Sequence, residues 1–432
     1  MDDIDINDAT RRFIIDHRED DVDDVALRCS GTADVDMPLA LRQIDGWQRA
    51  RRKLPSWALS DAIVYPPRRA MEQCSGENAA VWKAKIVDRL MKDAARRRLM
   101  IDLTGGAGAD FAILSRLFGE AVYVEKDACL CRLAEHNMSA LGVNNARFVC
   151  SDALSYIQNA VAGEAVTAGQ TSETRQMASL IFIDPSRRDD IGRRQTAISD
   201  CQPDVIPMVK TLLQMSEMVV IKLSPMLDVH KSIADLNTAA GTSAVREVHV
   251  VAFDNECKEL LVVLAARQQA PLTIVCANDG IAFAYRQEEQ TAALRQPDAG
   301  VPTIERGMWL YEPFTPLLKA GCFALLSRRF GVAQIDNNSH LFVSSVMVNG
   351  FPGRCFRIVD VVTMNRRDLR DAFRNISRAN VAVRNFPLSA AELSRRLHVS
   401  DGGDVYVFGT TVARRHIIIM ANKSSADQKE PI

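Results

Sequence analysis

The sequence predicts a doubly wound α/β sheet, preceded by a helical region and followed by small α+β units. Three observations carry that expectation. From Leu99 to about Arg267 short apolar runs alternate with segments of helical period, as a parallel sheet with crossover helices requires. The first run is followed by the glycine-rich turn Leu103-Thr-Gly-Gly-Ala-Gly-Ala109. Successive runs then end in acids, at the strand ends where such sheets bind ligands. The chain has 432 residues, 47% hydrophobic and 25% charged, which is enough for several domains with cores of their own.

Residues 1–95 read as helices, with apolar positions such as Phe13, Ile14, Val22 and Val25, then Leu41, Ile44 and Trp47, at helical spacing. In the segment from Tyr65 to Asn78 two prolines fix an extended approach, and Ser75, Gly76, Glu77 and Asn78 are cap and turn residues. A helix start accounts for this segment. So does a lid whose Gln73 and Ser75 touch a ligand.

Leu99 to Asp102 is the first strand, and Gly105, Gly106 and Gly108 then let the backbone turn with positive φ and lie against a nucleoside. A dinucleotide fingerprint would require its third glycine at Phe111, so a nicotinamide cofactor is disfavoured. An acid before the glycines suits a ligand with a cationic amino-acid end, such as S-adenosylmethionine (SAM). Asp102, Thr104 and the three glycines are therefore expected to cradle it. The strand 121–124 ends in Glu125, placed for the ribose hydroxyls. The strand 146–150 leads to Asp152, placed for the adenine amine. Each acid alone would also serve as a helix cap.

Residues 159–179 are small and polar and read as a surface insertion. Strand 180–183 runs into Asp184-Pro185-Ser186-Arg187-Arg188, where the proline fixes the direction of the Asp184 carboxylate. Asp184 and Pro185 are the candidate catalytic residues, the first orienting a nucleophile and the second shaping the pocket. Arg187, Arg188 and Lys222 are candidate substrate contacts. Strand 218–221 ends in Lys222-Leu-Ser-Pro225 with no cysteine, which argues against a covalent intermediate. Two strands, 245–251 and 260–265, close the sheet around Asp254 to Glu259.

Beyond Ala270, strands at 272–275 and 281–285 and a helical run through 317–330 form a small α+β unit. A β-α-β-α-β-β unit follows from 350, with Arg366, Arg367, Arg370, Arg374 and Arg378 on one helical face. Residues 351–432 hold 14 Lys and Arg against eight Asp and Glu, an excess of six, whereas the first 24 residues hold ten acids. That asymmetry suits a polyanion and equally a solvated basic face. The ten cysteines include no C-x-x-C and no zinc spacing, so no metal is expected and a reducing compartment is. The acidic start is no secretory leader, and no run approaches a membrane span, so the expected location is the cytoplasm.

The glycine turn, Glu125, Asp152, D184-PSRRD189, K222-LSP225 and E72-QCSGE77 together resemble bacterial class I SAM-dependent methyltransferases with a C-terminal THUMP-like domain. The resemblance implies a Rossmann-like catalytic domain over 96–270, a ferredoxin-like domain over 271–348 and a THUMP-like domain over 349–423, with a tail from 424. It implies SAM as cofactor, structured RNA (tRNA or rRNA) as partner, and transfer to an RNA base nitrogen. The D-P-S-R-R turn departs from the D-P-P-aromatic and N-P-P-Y turns of amino methyltransferases, since it lacks the aromatic that stacks on a flipped base. A non-catalytic RNA-binding protein and a methyltransferase of proteins or small molecules remain as alternatives.

Overall fold

In the computed structural model the described residues are 5–29, 32–162, 177–187, 197–266, 271–295, 300 and 302–424. They divide into two units, one of residues 1–226, 232–245 and 262–268, the other of residues 227–231, 246–261 and 269–432.

The first unit opens with six helices: α1 (Asp8–His17), α2 (Val22–Arg28), α3 (Met37–Lys53), α4 (Pro55–Ala58), α5 (Arg68–Gln73) and α6 (Glu77–Leu90). Local chemistry starts them. Asn7 caps α1 by accepting from the Thr10 amide, Asp21 caps α2, and Asp36 caps α3 with a proline in its first turn. Phe13, Val25, Ala40 and Ile44 close a small core between the first three helices.

The sheet follows, with β1 (Leu99–Asp102), α7 (Ala109–Leu114), β2 (Glu120–Glu125), α8 (Ala128–Ala140), β3 (Ala146–Cys150), α9 (Ala153–Ala162), β4 (Ala178–Ile183), β5 (Ser186–Arg187), β6 (Cys201–Gln202), α10 (Val209–Met215) and β7 (Ser216–Leu223). The order is β7-β4-β1-β2-β3, all parallel. The sequence expected this doubly wound pattern. Strand β4, between β7 and β1, is buried at all six positions, the mark of a strand covered on both faces. The insertion is shorter than the sequence suggested. α9 continues to Ala162 and β4 begins at Ala178, while 163–176 lie outside the described residues, as do Arg188 and the tail from 425. Lys222 and Leu223 belong to β7 and not to the turn after it.

After α11 (Val229–Ala240), strands β8 (Val245–Phe253) and β9 (Glu256–Ala265) meet at Asp254-Asn255, both with positive φ. In the second unit β8 is followed in its sheet by β10 (Thr273–Asn278) and β11 (Ile281–Arg286). These two strands were expected with the ferredoxin-like domain, yet they join the sheet of β8, because the apolar run of β10 continues its parallel ladder. The second sheet begins later. After α12 (Gln287–Leu294) come β12 (Trp309–Pro313), α13 (Thr315–Ala320), α14 (Phe323–Phe330), β13 (Ala333–Gln334), β14 (Phe342–Ser344), β15 (Gly353–Thr363), α15 (Arg366–Phe373), β16 (Asn380–Arg384), α16 (Ala390–Leu397), β17 (Val405–Val412) and β18 (Arg415–Lys423). Their order is β13-β14-β12-β15-β18-β17-β16. The two small domains expected beyond residue 270 therefore share one seven-stranded sheet, joined where β12 pairs antiparallel with β15. The expected single helix of 317–330 is two, broken at Gly321 in the left-handed region. Leu369, Phe373, Leu393 and Leu397 pack α15 and α16 on Val407, Ile418 and Met420.

Candidate active site

The site is built at the carboxyl ends of β1, β2, β4 and β7. At the end of β1, Asp102 is 1% exposed and accepts from the Thr104 amide at 3.0 Å. Burial pushes its carboxyl well above the ordinary carboxylate range, and the Thr104 amide only partly offsets this. Gly106 and Gly108 both have positive φ. A Cβ at Gly105 would lie 2.1 Å from Tyr123 Cε2, so only glycine lets the turn rest on that ring. Tyr123 Oη in turn donates to the Gly106 carbonyl at 2.5 Å. A Cβ at Gly106 would meet nothing nearer than the Thr104 carbonyl at 3.8 Å, so the space over this turn is open to a nucleoside or an amino-acid end. Such a cradle, with the buried acid of Asp102 beneath it, fits SAM.

Glu125 closes the turn from β2. Its Oε2 accepts from the Gly106 amide at 2.9 Å and its Oε1 from the Asp127 amide at 2.9 Å. The residue expected at the ribose is thus also a clamp on the glycine loop. Asp152 is exposed, and its Oδ1 accepts from the Leu154 and Ser155 amides at 3.1 and 3.0 Å, so it caps α9. Hydrogen bonds from Ser155 and from the Leu154 amide hold its carboxyl below the ordinary range.

The D-P turn and the glycine turn are tied directly. The Asp184 amide donates to Thr104 Oγ1 at 2.6 Å. Thr104 was expected at the ligand, and it also fixes the start of the second loop. Ile183 and Ile221 are partners in register, which brings the next residues, Asp184 and Lys222, side by side. Lys222 Nζ donates to Asp184 Oδ2 at 2.5 Å. Pro185 is buried, and the Ser186–Arg187 backbone pairs with Cys201–Gln202.

Sequence reasoning missed three residues here. Ser75, one of the expected ligand contacts, donates to Asp110 Oδ2 at 2.7 Å, and Lys83 Nζ donates to Ser75 Oγ and Asp110 Oδ1 at 3.0 and 2.9 Å. Burial alone would raise the Asp110 carboxyl, but Lys83, Lys222 and Ser75 bring it below its ordinary value. The third is Lys53, at the end of α3, whose Nζ donates to the Met71 and Glu72 carbonyls that finish α5. Burial lowers the Lys53 ammonium, and the Lys222 charge lowers it further. Cys74 sits in the same corner, its thiol raised by burial while Lys53 and Lys222 pull it down. Gln73 is exposed at the last position of α5. Among the described residues no group of three or more His, Cys, Asp or Glu is arranged to hold a metal, and no helix is long and apolar enough to cross a membrane. All ten cysteines are free thiols.

Comparison with known proteins agrees with this geometry. Residues 353–423 match the family described as THUMP domain-like, and residues 309–352 match a ferredoxin-like domain family. A crystal structure assigned as a methyltransferase of Porphyromonas gingivalis W83 superposes with a TM-score of 0.78 and 29% identity, covering 96% of this chain and 98% of the other. An uncharacterized S-adenosylmethionine-dependent methyltransferase of Mycobacterium tuberculosis (strain H37Rv) is 24% identical over 307 residues, 70% of this chain and 74% of that protein. The chain is a relative of the S-adenosylmethionine-dependent methyltransferases, with ferredoxin-like and THUMP-like domains following its α/β sheet in the sequence.

Proposed function

We propose that the protein transfers the methyl group of SAM to structured RNA, without a covalent enzyme intermediate. The observation that carries the reaction is the link between two loops: Thr104, in the glycine turn, accepts from the amide of Asp184, which heads the D-P turn. A donor cradled over the glycines therefore has its reactive end beside Asp184 and Lys222, and positioning of this kind supplies most of what a methyl transfer needs. Asp102 and the turn amides would hold the amino-acid end, Glu125 the ribose and Asp152 the adenine edge. The place one residue beyond Lys222 is Leu223, buried and unreactive, which suits direct transfer.

RNA as the acceptor molecule is supported by the second unit. THUMP-like domains, as the sequence resemblance implies, present structured RNA to an attached modification domain. Here Arg366, Arg367, Arg370 and Arg374 are exposed on and just after α15, and Arg395 and Arg396 on α16, while the apolar sides of both helices are spent on the sheet. Exposed arginines without an apolar duty suit phosphate contacts. The test is transfer of labelled methyl from SAM to total RNA from cells lacking this protein, with wild type and Asp184→Ala in parallel. Wild type should label one RNA species. Asp184→Ala should bind SAM by calorimetry yet lose transfer; label in no RNA species would refute the proposal.

A further inference from the structure

Asp184 can orient a nucleophile only if its carboxylate is held still. An aspartate side chain turns about two torsions, and a displacement of about 1 Å at the reacting atoms costs on the order of 10²-fold in rate. The main chain of Asp184 is fixed first, since its amide donates to Thr104 Oγ1 at 2.6 Å and Pro185 follows it. The side chain is fixed separately. Ile183 of β4 and Ile221 of β7 are register partners, so the parallel pairing brings Asp184 and Lys222 to neighbouring positions. There Lys222 Nζ donates to Asp184 Oδ2 at 2.5 Å, a charge-assisted hydrogen bond.

The two partners are not equally enclosed. The lysine side chain is 12% exposed and the aspartate side chain 31%, so the carboxylate is the member that stays open to a bound molecule. Its Oδ1 has no partner among the described residues and is left to accept from an N–H or O–H of the acceptor. Lys222 acts on its surroundings as a cation. It helps to hold the Asp110 carboxyl low, draws the Cys74 thiol down against the effect of burial, and opposes the charge of Lys53. An ammonium offers three donors and no lone pair, so it takes no proton from an acceptor. Paired with Asp184 it also forms a neutral unit, which does not oppose the sulfonium of SAM as a lone lysine would.

We propose that Lys222 is a positioning residue for methyl transfer, its ammonium holding Asp184 Oδ2 so that Oδ1 is presented to the acceptor. This rests on the reading of the protein as a methyltransferase whose Asp184 orients the nucleophile. It differs from the substrate contact expected of Lys222 from the sequence. Lys222 donates to Asp184 throughout and exchanges no proton with the acceptor. Three elements thus supply one functional group: β4 leads into the carboxylate, β7 holds its side chain, and the glycine turn holds its main chain through Thr104.

The experiment uses the full chain, tritiated SAM and total RNA from cells lacking the protein, together with crystals of wild type and each variant grown with S-adenosylhomocysteine. Lys222→Met should lower kcat by roughly 10²-fold, the scale of a misplaced reacting group, with KM for RNA and calorimetric SAM affinity unchanged. Lys222→Arg keeps the charge and a donor for the carboxylate, so it should restore most of that loss. In the crystals the Asp184 carboxylate should leave its wild-type rotamer in Lys222→Met and keep it in Lys222→Arg. A raised KM with kcat unchanged in Lys222→Met would make the lysine a contact for RNA and overturn the proposal. Equal inactivity of the Met and Arg variants overturns it too, and both results leave RNA methylation intact. Absence of label from RNA, with SAM still bound, overturns the RNA reading instead. The crystals then decide the role of Lys222 by themselves, since an unmoved carboxylate in Lys222→Met refutes it whatever the acceptor.

Discussion

Two buried ionisable groups of the first unit do different work. Lys83 has a side chain 1% exposed and pairs with Asp110, whose own side chain is 9% exposed. Removing one partner of such a pair strands the other, so Lys83→Met should cost about 3–5 kcal/mol in denaturant unfolding. The double variant Lys83→Met/Asp110→Asn should recover much of that loss; if it unfolds as readily as the single variant, the pair is not the source of the cost. Asp102 is the opposite case, since burial and the neighbouring acids Asp110, Asp184 and Glu125 push its carboxyl up while the Thr104 amide only partly offsets them. Between the ordinary carboxylate value, about pH 4, and that raised value the folded state holds a proton the unfolded chain has lost. Stability therefore falls as pH rises through this interval. Asp102→Asn cannot titrate, so it should flatten that fall and raise the unfolding midpoint at neutral pH while weakening SAM binding. An unchanged pH dependence would show that Asp102 is not the group responsible.

At the level of elements, the turns after β1 and β4 act as one device, because Thr104 accepts from Asp184 and Gly105 rests on Tyr123. Gly105→Ala would press a methyl group into that ring. It should destabilise the fold by about 1–3 kcal/mol and weaken SAM roughly tenfold or more, about 1.4 kcal/mol; calorimetry showing wild-type affinity would mean the turn relaxes without moving its amides. Much of this sheet was legible in advance. The apolar runs of β1, β2 and β4 end in or directly before an acid, and that of β7 in Lys222-Leu223, so Glu125 and Asp184 could be placed at the sheet edge from that pattern alone. What was not legible are the partners that arrive from other elements. Lys83 is instructive, since it stands at a core position of α6, in line with Ala79, Ala80, Ile86 and Val87. A lysine on an apolar helical stripe signals a buried counter-ion, but nothing local says that it is Asp110. The fate of β10 and β11 was hidden for a similar reason: a short apolar run does not specify the strand it will pair with. Asp152 shows the limit from the other side, because a helix-capping acid and a ligand-binding acid have the same local sequence.

For the whole molecule, the two units imply a division of labour that kinetics can resolve. The proposed donor site and the Lys222–Asp184 pair belong to the first unit, and the exposed arginines of α15 and α16 belong to the second. Arginines that contact phosphate contribute to affinity but not to the reacting atoms, so their loss should be felt in KM for RNA and not in kcat. Reversing Arg366, Arg370 and Arg374 to Glu leaves Leu369 and Phe373, the residues that seat α15, untouched. The variant should keep wild-type SAM affinity and wild-type kcat at saturating RNA. Its RNA affinity should fall, and the slope of log affinity against log salt should become shallower by about 0.7–0.9 for each phosphate it no longer neutralises. If the salt slope is unchanged, the basic face of α15 is only solvated, and RNA is held by another surface. If instead kcat falls with KM unchanged, these arginines act on the bound complex and the division between the units is not the one drawn from their residues.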